Sequence, residues 1–211
     1  MATFLELVNK VLVKLREDEV STYNQTEYSA LVATFINEAK RDVENSHKWT
    51  ILRNTDTFNV TSGTASYPYS DLKDNSGIIS VYDNTQQIFI EQTSLILARL
   101  NSNVTGPAQG WYLKGNSSGI PLFVTYPTPS SSYTLYVDVY TPQDELSDDD
   151  TTLIVPWFPV YMGAYFKALM ERGDDGGESA ANALQEYMKS LNDSISFDAK
   201  NLSDEFIWHV N

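Results

Sequence analysis

Two runs of carboxylates are the residues in this sequence whose spacing first suggests chemistry. Asp148-Asp149-Asp150 sets three acids in a row, and Asp174-Asp175-Gly176-Gly177-Glu178 combines acids with two glycines. Both offer oxygen ligands of the kind that hard cations take. Consecutive acids converge poorly on one ion, however, and the second run lacks the alternating ligand spacing of an EF-hand loop. The plainer reading of the first is a solvated loop before a helix. The second reads as a tight turn whose acids face a helix N-terminus, where the helix dipole favours them. A hydrolase using acids between residues 144 and 178 is the enzymatic alternative, without a convincing acid pair to support it.

The remaining chemical side chains are few. There are two histidines and no cysteine, so thiolate metal sites and disulfides are ruled out, and no histidine cluster suggests zinc. His47 follows Val43 by four positions and reads as a cation at a helix C-terminus. His209 adjoins Trp208 and reads as part of an interaction segment. Gly115–Gly119 lacks the lysine of a phosphate-binding loop and reads as a hairpin turn. Trp111, Tyr112, Tyr126, Tyr136 and Tyr140 are compatible with stacking on sugars in a carbohydrate-binding module. They are equally compatible with packing on a half-buried sheet or at a subunit interface. No catalytic residue, metal ligand or cofactor site is assigned.

The elements that must position these residues fall into three blocks. Thr3 and Glu6 have capping-box spacing, and Phe4, Val8, Val11 and Leu15 form a stripe, which predicts a helix over 3–16. A second helix, about Glu27–Ser46, carries Tyr28, Leu31, Phe35, Ala39 and Val43 as its apolar stripe. Glu38, Lys40, Arg41, Asp42 and Glu44 form its expected solvent face. From Thr55 to Pro142 the hydrophobic period drops to two. Ile78–Tyr82 and Gln87–Glu91 flank a hairpin turn, Thr93–Leu100 reads as a short helix, and Trp111–Lys114, Ile120–Tyr126 and Tyr133–Tyr140 read as strands. Helix returns over Val160–Glu171, after Pro156 and Pro159, and over about Glu178–Leu191, with Ala181, Leu184, Met188 and Leu191 as its stripe.

The expected fold class is therefore α+β. Residues 1–54 and 142–195 form one discontinuous helical bundle, because neither helix pair can bury its apolar face alone. Residues 55–141 form an inserted antiparallel β domain, and 196–211 a C-terminal extension. Net charge is −14. Ten of those negative charges lie beyond residue 140, which argues against gripping DNA by phosphate neutralisation. No signal peptide or membrane span is read, so synthesis in a cytosol is the expectation.

Several segments resemble podovirus head-to-tail adaptors, the gatekeeper or tail tubular protein A class. They are Phe35–Ala39 through Asp42–Asn45 to Trp49 and Leu52, Gly119–Leu122 with Tyr126–Pro129 and Tyr133–Leu135, and Val160–Tyr165 with Ala168, Leu169, Arg172 and Gly173. The resemblance spans about residues 3–195. It implies a non-enzymatic virion protein, made in the host cytoplasm and placed in the neck. There it would form a ring, typically of twelve subunits, between portal and tail nozzle. Genomic DNA would pass through its channel without specific binding, and no membrane contact is expected. The resemblance also implies that a C-terminal extension docks on the portal protein. In this sequence Phe197, Leu202, Phe206, Ile207 and Trp208 are the apolar residues that map there.

Overall fold

Thr3 opens the first helix by the predicted capping box. Its hydroxyl accepts the Glu6 N–H, and the Glu6 carboxylate accepts the Thr3 N–H. The computed structural model describes residues 2–70, 72, 75–94, 104–115, 119–173 and 177–201. The predicted short helix at Thr93–Leu100 lies outside these apart from Thr93 and Ser94. The chain divides into two units, Met1–Leu52 with Gln143–Asn211, and Arg53–Pro142. The fold is α+β. No helix among the described residues is long and apolar enough to cross a membrane.

The first unit holds helices α1 (Phe4–Lys14), α2 (Glu27–Ser46), α3 (Trp157–Glu171) and α4 (Glu178–Ala199). Helix α3 is the central element and packs against α1, α2 and α4. Gly163 is what permits this approach. A Cβ there would sit 3.1 Å from the Ala39 Cβ on α2 and 3.2 Å from the Tyr187 ring on α4. Arg172 ties the far end. Its Nε donates to the Tyr28 hydroxyl (2.7 Å), its Nη1 to the Leu15 carbonyl, and its Nη2 pairs with Glu17.

Four details of the helices differ from expectation. The buried face of α2 is centred on Val32, Ala33, Ile36, Ala39 and Val43, while Tyr28, Leu31 and Phe35 lie half-buried at its margin. Lys40 and Glu44 do not face solvent: they are 3% and 2% exposed, paired with each other and with the backbone of Gln143. Helix α4 runs eight residues past Leu191, so residues 196–199 are helical rather than part of an extension. Asp198 accounts for this, since its carboxylate accepts the Thr50 N–H (3.0 Å) and meets His47 Nε2 at 3.1 Å. The stripe of α4 is also rotated, with Ala180, Ala183 and Ser190 buried and Ala181 and Met188 exposed.

The second unit is built on two four-stranded sheets. One has the order β1 (Arg53–Val60), β10 (Tyr133–Tyr140), β3 (Gly77–Asp83), β4 (Ile88–Phe89), with antiparallel pairings throughout. The other has the order β2 (Ser66–Pro68), β8 (Leu122–Tyr126), β7 (Gly110–Lys114), β5 (Glu91–Gln92), in which β5 runs parallel to β7. A further short pair joins β6 (Thr105–Gly106) to β9 (Thr128–Pro129). As its alternation predicts, β10 buries Leu135, Val137 and Val139. These join Val60 and Val81 from the first sheet and Trp111 and Phe123 from the second in one core. At the β3–β4 turn, the Asp83 carboxylate accepts the N–H groups of Thr85 and Gln86.

Candidate interaction surface

Asp149 and His47, among the polar residues singled out for chemistry, have structural partners. Asp149 accepts the Tyr23 N–H at 2.7 Å through its side chain and the Leu5 N–H through its carbonyl, so the acid run braces the start of α1. Residues 174–176 of the second acid run lie outside those described. Among the described residues, no group of three or more His, Cys, Asp or Glu side chains is arranged to hold a metal ion. His47 is the C-cap of α2, and its ring meets Trp49 edge-on at 5.1 Å between centroids. His209 lies outside the described residues.

The aromatic set proposed for sugar stacking does not form one face. Trp111 is buried, stacked on Phe123 at 5.8 Å, and donates its Nε1–H to the Ile90 carbonyl. Tyr140 is buried as well. Tyr136 belongs to the first sheet, whereas Trp111, Tyr112 and Tyr126 belong to the second. A sheet core selects aromatics for the same flat apolar area that a glycan platform would use, so composition could not separate the two.

An open apolar surface lies instead on the helical unit, at the first turn of α3. Pro156 is the N-cap and makes no side-chain cap, and Trp157 and Phe158 follow it into solvent at 37% and 40% exposure. Their rings meet edge-on at 5.5 Å, and both lie about 6 Å from Tyr161. Burial raises the Tyr161 hydroxyl above its ordinary value, with Tyr165 and Glu186 adding to the rise, so it stays a neutral donor at physiological pH. Lys10 sits 5.6 Å from the Trp157 ring, and Lys14 lies over Tyr161 and Tyr165 at 5.3 and 4.6 Å.

Trp157 separates two grooves. The first, of about 520 Å³, lies between α1 and α3 and is lined by Lys10, Val13, Lys14 and Tyr161. The second, of about 500 Å³, is lined by Ile51, Ile154, Pro156, Ser194 and Phe197. Its apolar rim is open: Ile51 is 51% exposed and Phe197 71%. Of the five residues that the adaptor resemblance maps to portal docking, Phe197 is the one within the described residues, and it stands on α4 beside this groove. Leu202, Phe206, Ile207 and Trp208 lie outside them. Sequence periodicity missed Ile51, Ile154, Trp157 and Phe158. The available signal was that α3 is apolar on nearly every side, with Lys167 and Glu171 its charged residues, so part of it had to remain uncovered.

Compared with known protein families, the chain matches the model described as SU10 adaptor protein over residues 2–205. No curated protein matches it.

Proposed function

The chain belongs to the SU10 adaptor protein family and is a phage structural adaptor, and from that premise we propose that it forms a ring of copies between portal and tail nozzle that carries the DNA channel onward. The podovirus class is part of this proposal, and so is the ring of twelve that the resemblance implies. The neck of the virion would be its location and the host cytoplasm its place of synthesis. The observation that carries the reading is the surface of Ile51, Ile154, Trp157, Phe158 and Phe197, which a lone subunit leaves in contact with water. Aromatics clustered this way are what dominant interface residues look like. The negative charge of the chain suits a conduit, since like charge keeps a sliding duplex from adhering.

Phe197, with Leu202, Phe206, Ile207 and Trp208, is proposed to contact the portal protein. Electron microscopy of purified virion necks, with this chain carrying a small tag, tests the placement. Density for the tag in a ring directly below the portal is the expected result. A tag on the fibres or capsid shell would remove the proposal. The burial of Trp111 and Tyr140 gives the carbohydrate-binding alternative no stacking platform of the kind first considered.

A further inference from the structure

We propose that Asp198 is a positioning residue for Phe197: its carboxylate, held by His47 and Thr50, decides whether the last turns of α4 stay on the helical unit and so where Phe197 stands. This rests on the reading that Phe197 contacts the portal protein. Residues 191–199 of α4 hold no buried side chain, so apolar packing alone secures them weakly. What fastens them is polar. The Asp198 Oδ2 accepts the Thr50 N–H at 3.0 Å and the Thr50 hydroxyl at 3.2 Å, and meets His47 Nε2 at 3.1 Å. Little of the pair reaches water: the His47 side chain is 17% exposed and that of Asp198 15%.

Taken by its helix alone, Asp198 is the wrong residue for its place. It precedes the last helical residue, Ala199, where the free carbonyls of a helix end repel a carboxylate, and no basic side chain in that turn offsets the charge. Asp is also a poor helix former. The local conflict is resolved by a contact that spans 148 positions of chain to Thr50 and 151 to His47. The receiving side is rigid. The His47 ring lies edge-on to Trp49 at 5.1 Å, and Trp49 is buried with its Nε1–H donated to the Val43 carbonyl. Thr50 begins the turn that carries Ile51, and Phe197 immediately precedes Asp198, so this one contact brings Ile51 and Phe197 to the groove that both line. An anchor already held in place spares its partner the entropy of ordering it.

Asp198→Ala in the full chain decides the matter, because a local role and a latching role predict opposite signs. Alanine is the better helix former and removes the unfavourable charge, so without a latch the end of α4 would tighten. With it, amide-exchange protection over residues 194–199 should fall by about tenfold or more, while that of α2 is unchanged. Thr50→Val removes one of the three contacts and should give a smaller fall in the same direction. Binding of Asp198→Ala to portal particles should weaken by about fivefold or more, as it does when the competent arrangement is populated about a fifth of the time or less. In a Phe197→Asp background the same change should weaken binding no further, since it acts through that ring. Protection that is unchanged or raised would overturn the proposal and leave the Phe197 contact standing. Additive losses from the two substitutions would overturn it too, by giving Asp198 a portal contact of its own. Undiminished binding of Phe197→Asp alone would instead remove the portal reading of Phe197, and the proposal with it.

Discussion

Lys40 and Glu44 are charged, four residues apart on α2, and buried. Exposed pairs at this spacing contribute a few tenths of a kcal/mol. Here the Lys40 ammonium donates to both Glu44 oxygens at 3.1 Å and to the Gln143 carbonyl at 2.6 Å, and Glu44 accepts the Gln143 N–H at 3.2 Å. Burial pushes the Glu44 carboxyl above its ordinary 4.5, and Lys40 only partly opposes the shift. The folded state therefore keeps this proton at pH values where the unfolded chain has lost it. Its contribution to stability is fully present below the ordinary value and is lost as pH rises through the folded one. The advantage of the parent over Glu44→Gln in urea unfolding should be largest near pH 4 and shrink as pH rises; an advantage that grows with pH would contradict the assignment. Replacing a buried ion pair with apolar residues is often neutral. Lys40→Met with Glu44→Leu should nevertheless cost about 2 kcal/mol or more, because the Gln143 N–H and C=O both lose their partners. A double variant as stable as the parent would show that water replaces the pair. None of this was legible locally, since the group that makes burial tolerable lies 99 residues away in the chain.

At the scale of elements, legibility followed the source of burial. The α1 capping box and the alternation of β10 were readable because a single neighbouring surface determines each pattern. The α2 stripe was misphased because large apolar side chains were taken to mark its centre. The contact with α3 requires small ones there, Ala39 against Gly163, and pushes Phe35 to the margin. Strand β1, Arg-Asn-Thr-Asp-Thr-Phe-Asn-Val, escaped notice because its exposed residues outnumber the inward Phe58 and Val60. Its eight-residue register with β10 supplies the order that its composition does not. Two expectations follow. Gly163→Leu should destabilise the helical unit by about 1–3 kcal/mol, since the added side chain meets Ala39 and the Tyr187 ring before any solvent. Trp49→Ala should cost about 3–5 kcal/mol. The ring is 1% exposed and donates to the Val43 carbonyl at 2.7 Å, whereas half-buried Phe35→Ala should cost clearly less. Thermal melts of the three variants rank them, and a Phe35 loss equal to that of Trp49 would return the core to the originally read stripe.

For the whole molecule, the balance is between a net charge of −14, which opposes self-association, and an apolar surface that favours it. Sedimentation of the free protein at moderate salt should therefore find monomers, with the ring awaiting a template. A stable ring without portal would mean that the apolar surface outweighs the charge. The C-terminal residues test the proposed template contact. Deleting Glu205–Asn211 removes Phe206, Ile207 and Trp208 and should leave α1 to α4 intact, because the described helices end at Ala199. Helical circular dichroism should be unchanged. Binding to portal particles should fall by about thirtyfold for each dominant anchor lost, corresponding to about 2 kcal/mol, and the loss should compound where several copies bind together. Phe197→Asp tests the anchor that stands on α4 itself. If Phe197 and the deleted residues act on one portal site, the substitution and the deletion should weaken binding together by less than the sum of their separate free-energy losses. Undiminished binding of the folded truncation, with Phe197→Asp strongly impaired, would move the portal contact onto the helical surface around Trp157.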